Sequence, residues 1–364
     1  MDQGRQATDE DARKSIRAGG NHKAPFTEAG YTDATGIMSS RSRRLAQGLG
    51  PSMKIPAYTP CLSPPPSKIA SIKRVIKKRL PDWCVLLREW RKAHGKFPKI
   101  IRPVTFNEKL LHRNLFDRRA VFTQLADKAA VRSYVEQRLG PQILPKVYYL
   151  TSHPYTISFH DLPDRFVVKP THGSGWVKIV TDKSTLDQRA LMELCFDWLT
   201  QSYYKETREW VYKHIEPRII VEELIDDGSG AAPNDYKLFV FGGTVQFIQV
   251  DVGRFSHHRR RLYTPTWEKI DALYEFDDII GDVPRPSHLA DMITAAETLG
   301  RDLDFVRADF YDTADRFYFG ELTMVPAGGE GRFRPEEFDR YLGGLWKISA
   351  QYRFRSISLL LGGL

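Results

Sequence analysis

The stretch 305–329, FVRADFYDTADRFYFGELTMVPAGG, holds the clearest pattern of chemically active side chains in the sequence. It predicts two short strands around a turn, because aromatic and β-branched residues flank a cluster of turn formers. Alternation along the first strand places Arg307 and Asp309 on the same face. In the second strand it places Glu321 and Thr323 on the same face. Two carboxylates and a hydroxyl thus converge beside a cation, and oxygen ligands of this kind suit Mg²⁺. A hairpin with an ordinary ion pair explains the same residues equally well.

The composition is that of a protein with a packed core: 364 residues, 41% hydrophobic and 12% aromatic. No apolar run approaches the roughly 20 residues that span a bilayer, and the first 30 residues lack the apolar core of a signal peptide. Cys61, Cys84 and Cys195 form neither a metal-type spacing nor a disulfide framework. We therefore expect a soluble, cytoplasmic protein with reduced cysteines.

The net charge of +9 is concentrated in one segment. Residues 68–102 contain twelve lysines and arginines against Asp82 and Glu89, whereas the rest of the chain is close to neutral. We predict a basic helical segment over 68–103, interrupted at Pro81, which lies at the inner face of an anionic membrane or binds polyanions. An exposed basic helix with its apolar side packed inward is the alternative. No nucleic-acid partner is expected, because no binding motif accompanies the charge.

The rest of the chain divides by composition. Residues 1–67 are polar, lack periodicity and end in a proline-rich run, which predicts a disordered leader. Residues 104–335 alternate helical and strand patterns and form the main domain, and 336–364 are predicted to be a C-terminal helical extension. Predicted helices cover 106–116, 123–139 and 186–204; predicted strands cover 165–169, 176–181, 218–225, 236–241 and 244–250.

A glycine-containing turn, residues 170–175, joins two of these strands. Lys169 ends the first strand and Lys178 lies on the second. Two lysines beneath a mobile loop with free backbone amides could clamp phosphates, whereas a plain hairpin with solvated lysines is the bland alternative. The motif is not a P-loop, which needs its lysine directly before a helix.

Paired acids lie near the end of the apolar strand 218–225. Glu222 and Glu223 are costly there unless they are hydrogen-bonded or face a site. They could take an amino group, a ribose hydroxyl or a metal. The following hairpin places Lys237 on the same strand face as Phe239 and Phe241.

The order of these motifs resembles that of the ATP-grasp ligases, and most closely their teichuronopeptide-synthesis (TupA-like) branch. The resemblance covers about residues 104–330. It rests on Lys169, Glu222-Glu223-Leu224, Arg307-x-Asp309, Glu321-x-Thr323, Phe106-Asn-Glu-Lys109, Leu125-Ala-Asp-Lys128, His172-Gly-Ser-Gly175, Lys213 to Glu223 and Asp235-Tyr-Lys237.

The resemblance implies an α+β ATP-grasp fold, in which two α+β subdomains grip ATP between antiparallel sheets, with 104–335 as the catalytic domain. It implies ATP and Mg²⁺ as cofactors. The ATP-binding residues would be Lys169, His172, Gly173, Ser174, Gly175, Lys178, Glu222, Glu223, Leu224 and Asp227.

The resemblance also implies the catalytic and metal-binding residues. Arg307 would stabilise the transferring phosphate, and Lys237 would be a second basic phosphate contact. Asp309 and Glu321 would be the Mg²⁺ carboxylates. Thr323 departs from the commoner pattern, which has Asn at this position; its hydroxyl can still ligate Mg²⁺ weakly or hold a bound water.

The implied activity is ATP-dependent ligation of a carboxylate to an amine through an acyl phosphate. The family suggests a uronic-acid-type carboxylate of a capsular or other surface polysaccharide, and an amino acid as the amine. A sugar or polysaccharide kinase on the same fold, a glycosyltransferase and a non-catalytic glycan-binding module are the alternatives.

A basic stretch after the central hairpin is the predicted substrate contact. Arg254, His258 and Arg259 could recognise a carboxylate or sugar phosphate, whereas an exposed basic loop is the alternative. Four more side chains could form a sugar-facing surface or belong to the core: Trp210, Tyr212, Lys213 and His214.

Overall fold

A computed structural model of the chain describes residues 80–228, 233–253 and 257–348. The predicted leader 1–67 lies outside these residues, as do 68–79 of the basic segment, the end of the C-terminal extension and Arg254. The predicted boundaries of the leader, basic segment and extension therefore stay predictions. Within the described residues, no helix combines the length and apolarity needed to cross a bilayer.

Eight α-helices are described, with short 3₁₀ turns between some of them. They are α1 (Asp82–His94), α2 (Phe106–Phe116), α3 (Ala120–Ala126), α4 (Ala130–Leu139), α5 (Gln188–Thr200), α6 (Tyr203–Thr207), α7 (Leu289–Gly300) and α8 (Glu336–Leu345). Helix α1 starts directly after Pro81, in agreement with the predicted interruption. It buries Leu86 and Trp90 against Leu111 of α2, so its apolar side packs inward.

The strands form two antiparallel sheets and a small strand pair, which confirms the predicted α+β class. The first sheet has the order β1-β4-β2-β3, the second β10-β9-β5-β6-β7, and the pair is β11-β8. Their bounds are β1 (Val147–Thr151), β2 (Phe166–Pro170), β3 (Lys178–Val180), β4 (Ile219–Glu223), β5 (Asp235–Phe241), β6 (Thr244–Val252), β7 (Arg259–Tyr263), β8 (Leu273–Tyr274), β9 (Phe305–Asp312), β10 (Phe317–Thr323) and β11 (Phe333–Arg334).

Each sheet has its own apolar core. Phe166, Val168 and Val221 of the first sheet pack against α5, which contributes Leu191 and Trp198. Alternation then turns Lys169 and Glu222 to the opposite face of that sheet. The first sheet is thus apolar on the α5 side and charged on the other.

The second sheet is covered on both faces, but one face changes from apolar to charged along the strands. Phe106 of α2 packs edge-on against Phe305, with ring centroids 4.9 Å apart, and also contacts Phe239. Farther along the same strand face lie Arg307 and Asp309, opposite Phe239 and Lys237. The aromatic core therefore ends where the charged side chains begin.

Two predicted helices are interrupted in the structure, so the single helices 123–139 and 186–204 were wrong. The first breaks at Asp127, whose side chain accepts a hydrogen bond from the Ala129 amide at 2.8 Å, while the Lys128 amide donates to the Thr171 carbonyl. The second breaks after α5, and Ser202 caps α6. Polar side chains satisfy backbone groups at both breaks and so compete with helix continuation.

A buried network, the anchoring cluster (Lys109, Arg113, Arg119, Asp304 and Trp346), ties α2 to the residues after α8. Lys109 donates to the carbonyls of Gly343, at 2.6 Å, and Trp346. Arg113 donates to the carbonyls of Phe305 and Met324 and to Asp304, which also accepts from Trp346 and Arg119. The Phe106–Lys109 motif therefore acts in packing: it anchors α2 on the face of the second sheet that also carries Arg307 and Asp309.

Candidate active site

The hairpin β9–β10 brings together the side chains that the sequence predicted to converge. Arg307 grips Asp309 with two nitrogen atoms, at 2.7 and 2.6 Å. The same guanidinium donates to Glu321 at 3.1 Å and to Thr323 at 3.0 Å. With Lys237 these residues form what we call the metal-face cluster. The side chain of Glu321 is 36% exposed, so the cluster opens outward at that point.

A β-bulge in β10 sets the register that makes this convergence work. The pairing shifts between Phe319 and Glu321, so that Glu321 lies opposite Asp309 and Thr323 opposite Arg307. Directly opposed residues of an antiparallel pair share a sheet face. If Gly320 paired regularly with Asp309 and did not form the bulge, Glu321 would fall opposite Ala308 and point to the other face. A Cβ atom at Gly320 would lie 3.1 Å from the Asp309 carbonyl oxygen, so the bulge has little room for a side chain.

Lys237 is buried at the centre of the cluster. Its amine lies 2.9 Å from Asp309 and 3.2 Å from Asp235, and it shares a sheet face with Phe239 as predicted. Strong burial opposes the charge of Arg307, but Asp309 outweighs this and raises the pKa of the guanidinium. The Arg307 guanidinium is therefore held charged beside the carboxylates.

The glycine loop lies at the end of the charged face of the first sheet. Lys169 forms an ion pair with Glu222 on the neighbouring strand, and the Thr171 amide donates to the Arg218 carbonyl. A Cβ atom at Gly173 would come within 2.9 Å of the Trp176 ring. The loop is therefore fixed at its base and packed against an aromatic ring.

The other loop residues differ in where their side chains lie. His172 is buried, and its Nε2 atom lies 3.0 and 3.2 Å from the carbonyl oxygens of Trp198 and Gln201. It connects the loop to the end of α5. Burial raises the pKa of Tyr203, and the Ser174 side chain opposes this rise. Gly175 has a φ of +75°, a conformation that favours glycine.

Lys128 lies next to the predicted site residues, although the sequence analysis did not include it among them. It lies at the break between α3 and α4, and its amine donates to the Gly173 carbonyl. Burial lowers the pKa of Lys128, whereas the nearby carboxylates of Glu321 and Glu222 raise it, and Lys169 repels it. Lys128 is thus in electrostatic reach of both sheets. The Asp-Lys pair at a helix break was the signal available in the sequence.

The segment Glu222-Glu223-Leu224, which was predicted to bind ATP, is held by backbone and side-chain contacts. The Glu223 amide donates to the Lys146 carbonyl at 2.8 Å, and the Glu223 carboxylate accepts from the Lys146 amide and the Tyr318 hydroxyl. Asp226 pairs with Arg165, the residue directly before β2. The nucleotide contacts of Leu224, Asp227 and Lys178 stay predictions.

The predicted substrate residues lie at the far edge of the second sheet. His258 lies 3.4 Å from Asp251 and stacks near Phe276, while Arg259 donates to the Asp278 carbonyl. Asp251 is also held by Arg260 through two contacts, at 2.6 and 3.2 Å. Both described residues are thus tied into the edge of the sheet, and their substrate contact stays a prediction.

The predicted sugar-facing surface divides into two parts. Tyr212 packs against Tyr203, with ring centroids 4.7 Å apart. Trp210 and His214 instead line an open groove together with Arg218. The aromatic side chains therefore do not form one continuous surface.

The oxygen donors of the metal-face cluster fit a magnesium ion that takes the rest of its ligands from phosphate groups and water. Among the described residues, no group of three or more His, Cys, Asp or Glu side chains is arranged to hold a metal. Asp309 and Glu321 supply two carboxylates, which is what Mg²⁺ takes from proteins when phosphates and water complete its shell. The donor set therefore fits a nucleotide-bound Mg²⁺. The Thr323 hydroxyl, 3.0 Å from Glu321, holds that carboxylate in place.

The two antiparallel sheets, the glycine loop and the paired strand acids define the ATP-grasp class. A sequence model of the TupA-like ATP-grasp family matches residues 108–347, and the chain therefore belongs to that family. The match extends past 330, where the motifs of the sequence resemblance end, and includes α8. Comparison with curated proteins gives no match.

Several solved structures are similar at low identity. One is D-alanine–D-alanine ligase from Bacillus anthracis complexed with ATP, at 18% identity and a TM-score of 0.36, covering 56% of each chain. The ATP-grasp ligase PsnB complexed with minimal precursor has 14% identity and a TM-score of 0.34, covering 70% of this chain and 69% of its own. The macrocyclase MdnC bound with precursor peptide MdnA from Microcystis aeruginosa has 13% identity and a TM-score of 0.35, covering 64% of each. The family assignment rests on the family match and not on these similarities.

Proposed function

We propose that the protein is an ATP- and Mg²⁺-dependent ligase that joins a carboxylate to an amine through an acyl phosphate. The substrates we propose are a uronic-acid-type carboxylate of a surface polysaccharide or its precursor, and an amino acid. Family membership supports the reaction class, and the polysaccharide substrate follows from the teichuronopeptide branch of the family.

One observation carries the proposal: Lys128 lies in electrostatic reach of carboxylates on both sheets. Its pKa responds to Glu321 of the second sheet and to Glu222 and Lys169 of the first. We therefore expect the lysines at the glycine loop to face the acids of the metal-face cluster across one cleft. A triphosphate needs this combination, because lysines neutralise its oxygens while carboxylates hold its metal.

The chain's own residues would act in phosphoryl transfer by position and charge. Lys169 and Lys128 would bind phosphate oxygens, and the amides of 171–175 would cover them. Arg307 would stabilise the charge that develops when the substrate carboxylate attacks the γ-phosphate, because its guanidinium is fixed before reaction. Lys237 would hold Asp309 in its orientation through the 2.9 Å contact between them.

Asp309 and Glu321 would hold Mg²⁺, which neutralises charge on the phosphates when it is bound. Asp309 now pairs with Arg307 and Lys237. We expect its contacts to be shared with the ion once nucleotide is bound. The loop 171–175 would exclude water, because an acyl phosphate is otherwise hydrolysed.

The test is to trap the intermediate. Purified protein is incubated with ATP, Mg²⁺ and a panel of uronic acids, and hydroxylamine is added. We expect a hydroxamate and ADP. ADP with a stable phosphorylated sugar would indicate the kinase alternative, and absence of ATP turnover with every acceptor would contradict both activities.

The substrate side has its own test. We propose that Arg254, His258 and Arg259 contact the acidic sugar. Arg259→Ala should raise the KM for the uronic acid and leave the KM for ATP unchanged, whereas Arg285→Ala, a change outside the predicted substrate residues, should alter neither. Equal effects of Arg259→Ala on both KM values would contradict this assignment.

We also propose that the basic segment 68–102 contacts an anionic membrane surface. Its apolar side in α1 is buried, so the contact would be electrostatic and would weaken with salt. Vesicles containing anionic phospholipid should retain the full chain at low salt and a 68–79 deletion less well. Equal retention of the two would exclude this role for the deleted residues.

A further inference from the structure

Glu209 is a buried carboxyl group close to the reacting end of the cleft, and no motif assigns it a role. It lies between α6 and the turn Trp210–Tyr212, and its residue is 8% exposed. Its backbone amide donates to the Thr207 hydroxyl at 3.2 Å, and its backbone carbonyl accepts from the Tyr212 amide. The Tyr212 ring packs against Tyr203, which in turn packs edge-on against Trp176, the residue directly after the glycine loop. Glu209 is therefore connected to the phosphate-covering loop through a chain of packed aromatic rings.

Glu209 also faces the metal-face cluster. Burial raises the pKa of the Tyr212 hydroxyl, and the charges of Glu209 and Glu321 raise it further. The charge of Glu321 also contributes to raising the pKa of Glu209. Burial raises the pKa of Glu209 to about 8, and repulsion by Glu330 and Glu321 adds to this, while the Tyr203 and Thr207 hydroxyls oppose it. The carboxyl group thus lies among acids and tyrosines on the reacting side of the cleft.

What distinguishes Glu209 is the missing counter-charge. Asp309, Glu222 and Asp251 are buried acids that each pair with a lysine or arginine. Asp339 instead accepts the Asn107 amide at the start of α2. Within the described parts of the chain, Glu209 forms no ion pair with a cation and caps no α-helix. A buried carboxylate without a counter-ion is unfavourable, so a cationic group of a ligand would be bound strongly there.

We infer that Glu209 binds the ammonium group of the amino acid substrate and accepts a proton from it. The inference rests on the proposed ligase function. An ammonium group next to Glu209 would be near Glu321, where the acyl phosphate forms. Its positive charge would replace the counter-ion that the fold leaves out.

The proton transfer makes the amine a nucleophile. The ammonium group gives one proton to the Glu209 carboxylate, and the neutral nitrogen attacks the acyl carbon. The C–N bond forms, and the bond from the acyl carbon to the phosphate oxygen breaks, with its electron pair leaving on phosphate. The nitrogen loses its second proton to the departing phosphate. The products are the amide, hydrogen phosphate and protonated Glu209.

The experiment compares two nucleophiles in the full-length Glu209→Gln variant. Hydroxylamine is largely uncharged at neutral pH and needs no proton acceptor, whereas an amino acid arrives as an ammonium ion. With ATP, Mg²⁺ and the accepted uronic acid, we expect wild-type rates of hydroxamate and ADP formation. Amide formation from an equimolar mixture of the twenty standard amino acids, measured by mass spectrometry, should fall by about 10²–10⁴-fold.

The outcomes separate this inference from the proposed function. Absence of hydroxamate and of ADP in the wild type contradicts the ligase itself. A wild type that forms hydroxamate but no amide overturns the assignment of an amino acid to Glu209. Equal amide rates in wild type and Glu209→Gln overturn the inference alone. Parallel loss of hydroxamate and amide also overturns it, because the residue then acts before the amine arrives.

Two further variants control for structure. Glu193→Gln changes an exposed acid on α5, 63% exposed, and should leave both rates unchanged. Glu209→Asp keeps the carboxylate but withdraws it by one methylene group, and should slow amide formation more than hydroxamate formation. Thermal unfolding of each variant shows whether it folds. If Glu209→Gln does not fold, the test passes to Glu209→Asp. Equal reduction of hydroxamate and amide formation in Glu209→Asp would then contradict the inference.

Discussion

Strand β9 connects two buried charge networks that use similar residues in different ways. The anchoring cluster lies at its start, where the guanidinium of Arg113 donates to two backbone carbonyls and to Asp304. The metal-face cluster lies farther along, where Arg307, among the residues that the structure describes, donates only to side chains. Backbone carbonyls are fixed by the fold, whereas side-chain partners can be exchanged for a ligand. The first network therefore holds the structure together, and the second is suited to receive phosphate and metal.

The largest expected effect is on stability, from Arg113→Ala. Removing this side chain takes away one of the two arginine partners of the part-buried Asp304. It also removes a hydrogen-bond donor from each of two backbone carbonyls. We expect the free energy of unfolding to fall by about 3–5 kcal/mol, measured by urea denaturation. The exposed Arg340 of α8 is the matched control, with a change within about 0.5 kcal/mol. A loss as small as that of the control would show that the network is not structural.

Arg307→Ala should act on chemistry. We expect hydroxamate formation to slow by roughly 10²–10³-fold, because a preorganised charge is removed from the transferring phosphate. Arg307→Lys keeps the charge but loses the two-nitrogen grip on Asp309, and should retain more activity than the alanine variant. Full activity of Arg307→Ala would contradict the catalytic assignment.

Titration of stability with pH should distinguish Asp304 of the anchoring cluster from Glu209, because their pKa values are shifted in opposite directions. Burial alone would raise the pKa of Asp304, but Arg113 and Arg119 outweigh it and hold the pKa at about 2, against an ordinary value of 3.8. The folded state therefore binds this proton less readily than the unfolded state. Stability from Asp304 is present above about pH 4 and is lost as the pH falls toward 2, by about 2 kcal/mol.

Glu209 should behave in the opposite way, because its pKa is raised to about 8. Its contribution is present below pH 4.5, the ordinary value, and is lost as the pH rises through 8. Urea unfolding of Asp304→Asn and Glu209→Gln across pH 3 to 9 measures both differences. Curves that stay parallel to the wild type at all pH values would contradict the two assignments.

The smallest expected effect comes from Gly173→Ala. The new methyl group meets the Trp176 ring, which can move, so the loop is displaced only slightly. We expect the KM for ATP to rise on the order of tenfold, with little change in stability. Gly344→Ala on α8 is the control, because its Cβ atom meets nothing within 4 Å. An unchanged KM would show that the loop does not contact the nucleotide.

Sequence patterns predicted what depends on neighbouring residues. Alternation gave the shared faces of Arg307 with Asp309 and of Glu321 with Thr323, because strand geometry has a fixed period of two. The relation between the two strands depends on the bulge at Gly320, which a periodic pattern does not show. The central hairpin around Gly242-Gly243 was predictable for the same local reason.

Contacts between distant segments could not be predicted in this way. Lys128 contacts the glycine loop, which lies 45 residues later in the chain. Glu321 of the hairpin raises the pKa of Glu209, which precedes it by more than a hundred residues. Both side chains acquire their surroundings only when the sheets pack. The helix break beside Lys128 was missed because helical periodicity continues through it, whereas the break depends on hydrogen bonds to Asp127 and Thr171.

The anchoring cluster also sets the order in which the chain can complete its fold during synthesis. Lys109 and Trp346 are 237 residues apart, so α2 cannot gain its partner until the last described residues have left the ribosome. The hairpin β9–β10 needs only contacts within itself and can form earlier. A nascent chain stopped before Trp346 would therefore carry the reactive side chains on an unclosed core, exposed to chaperones and proteases.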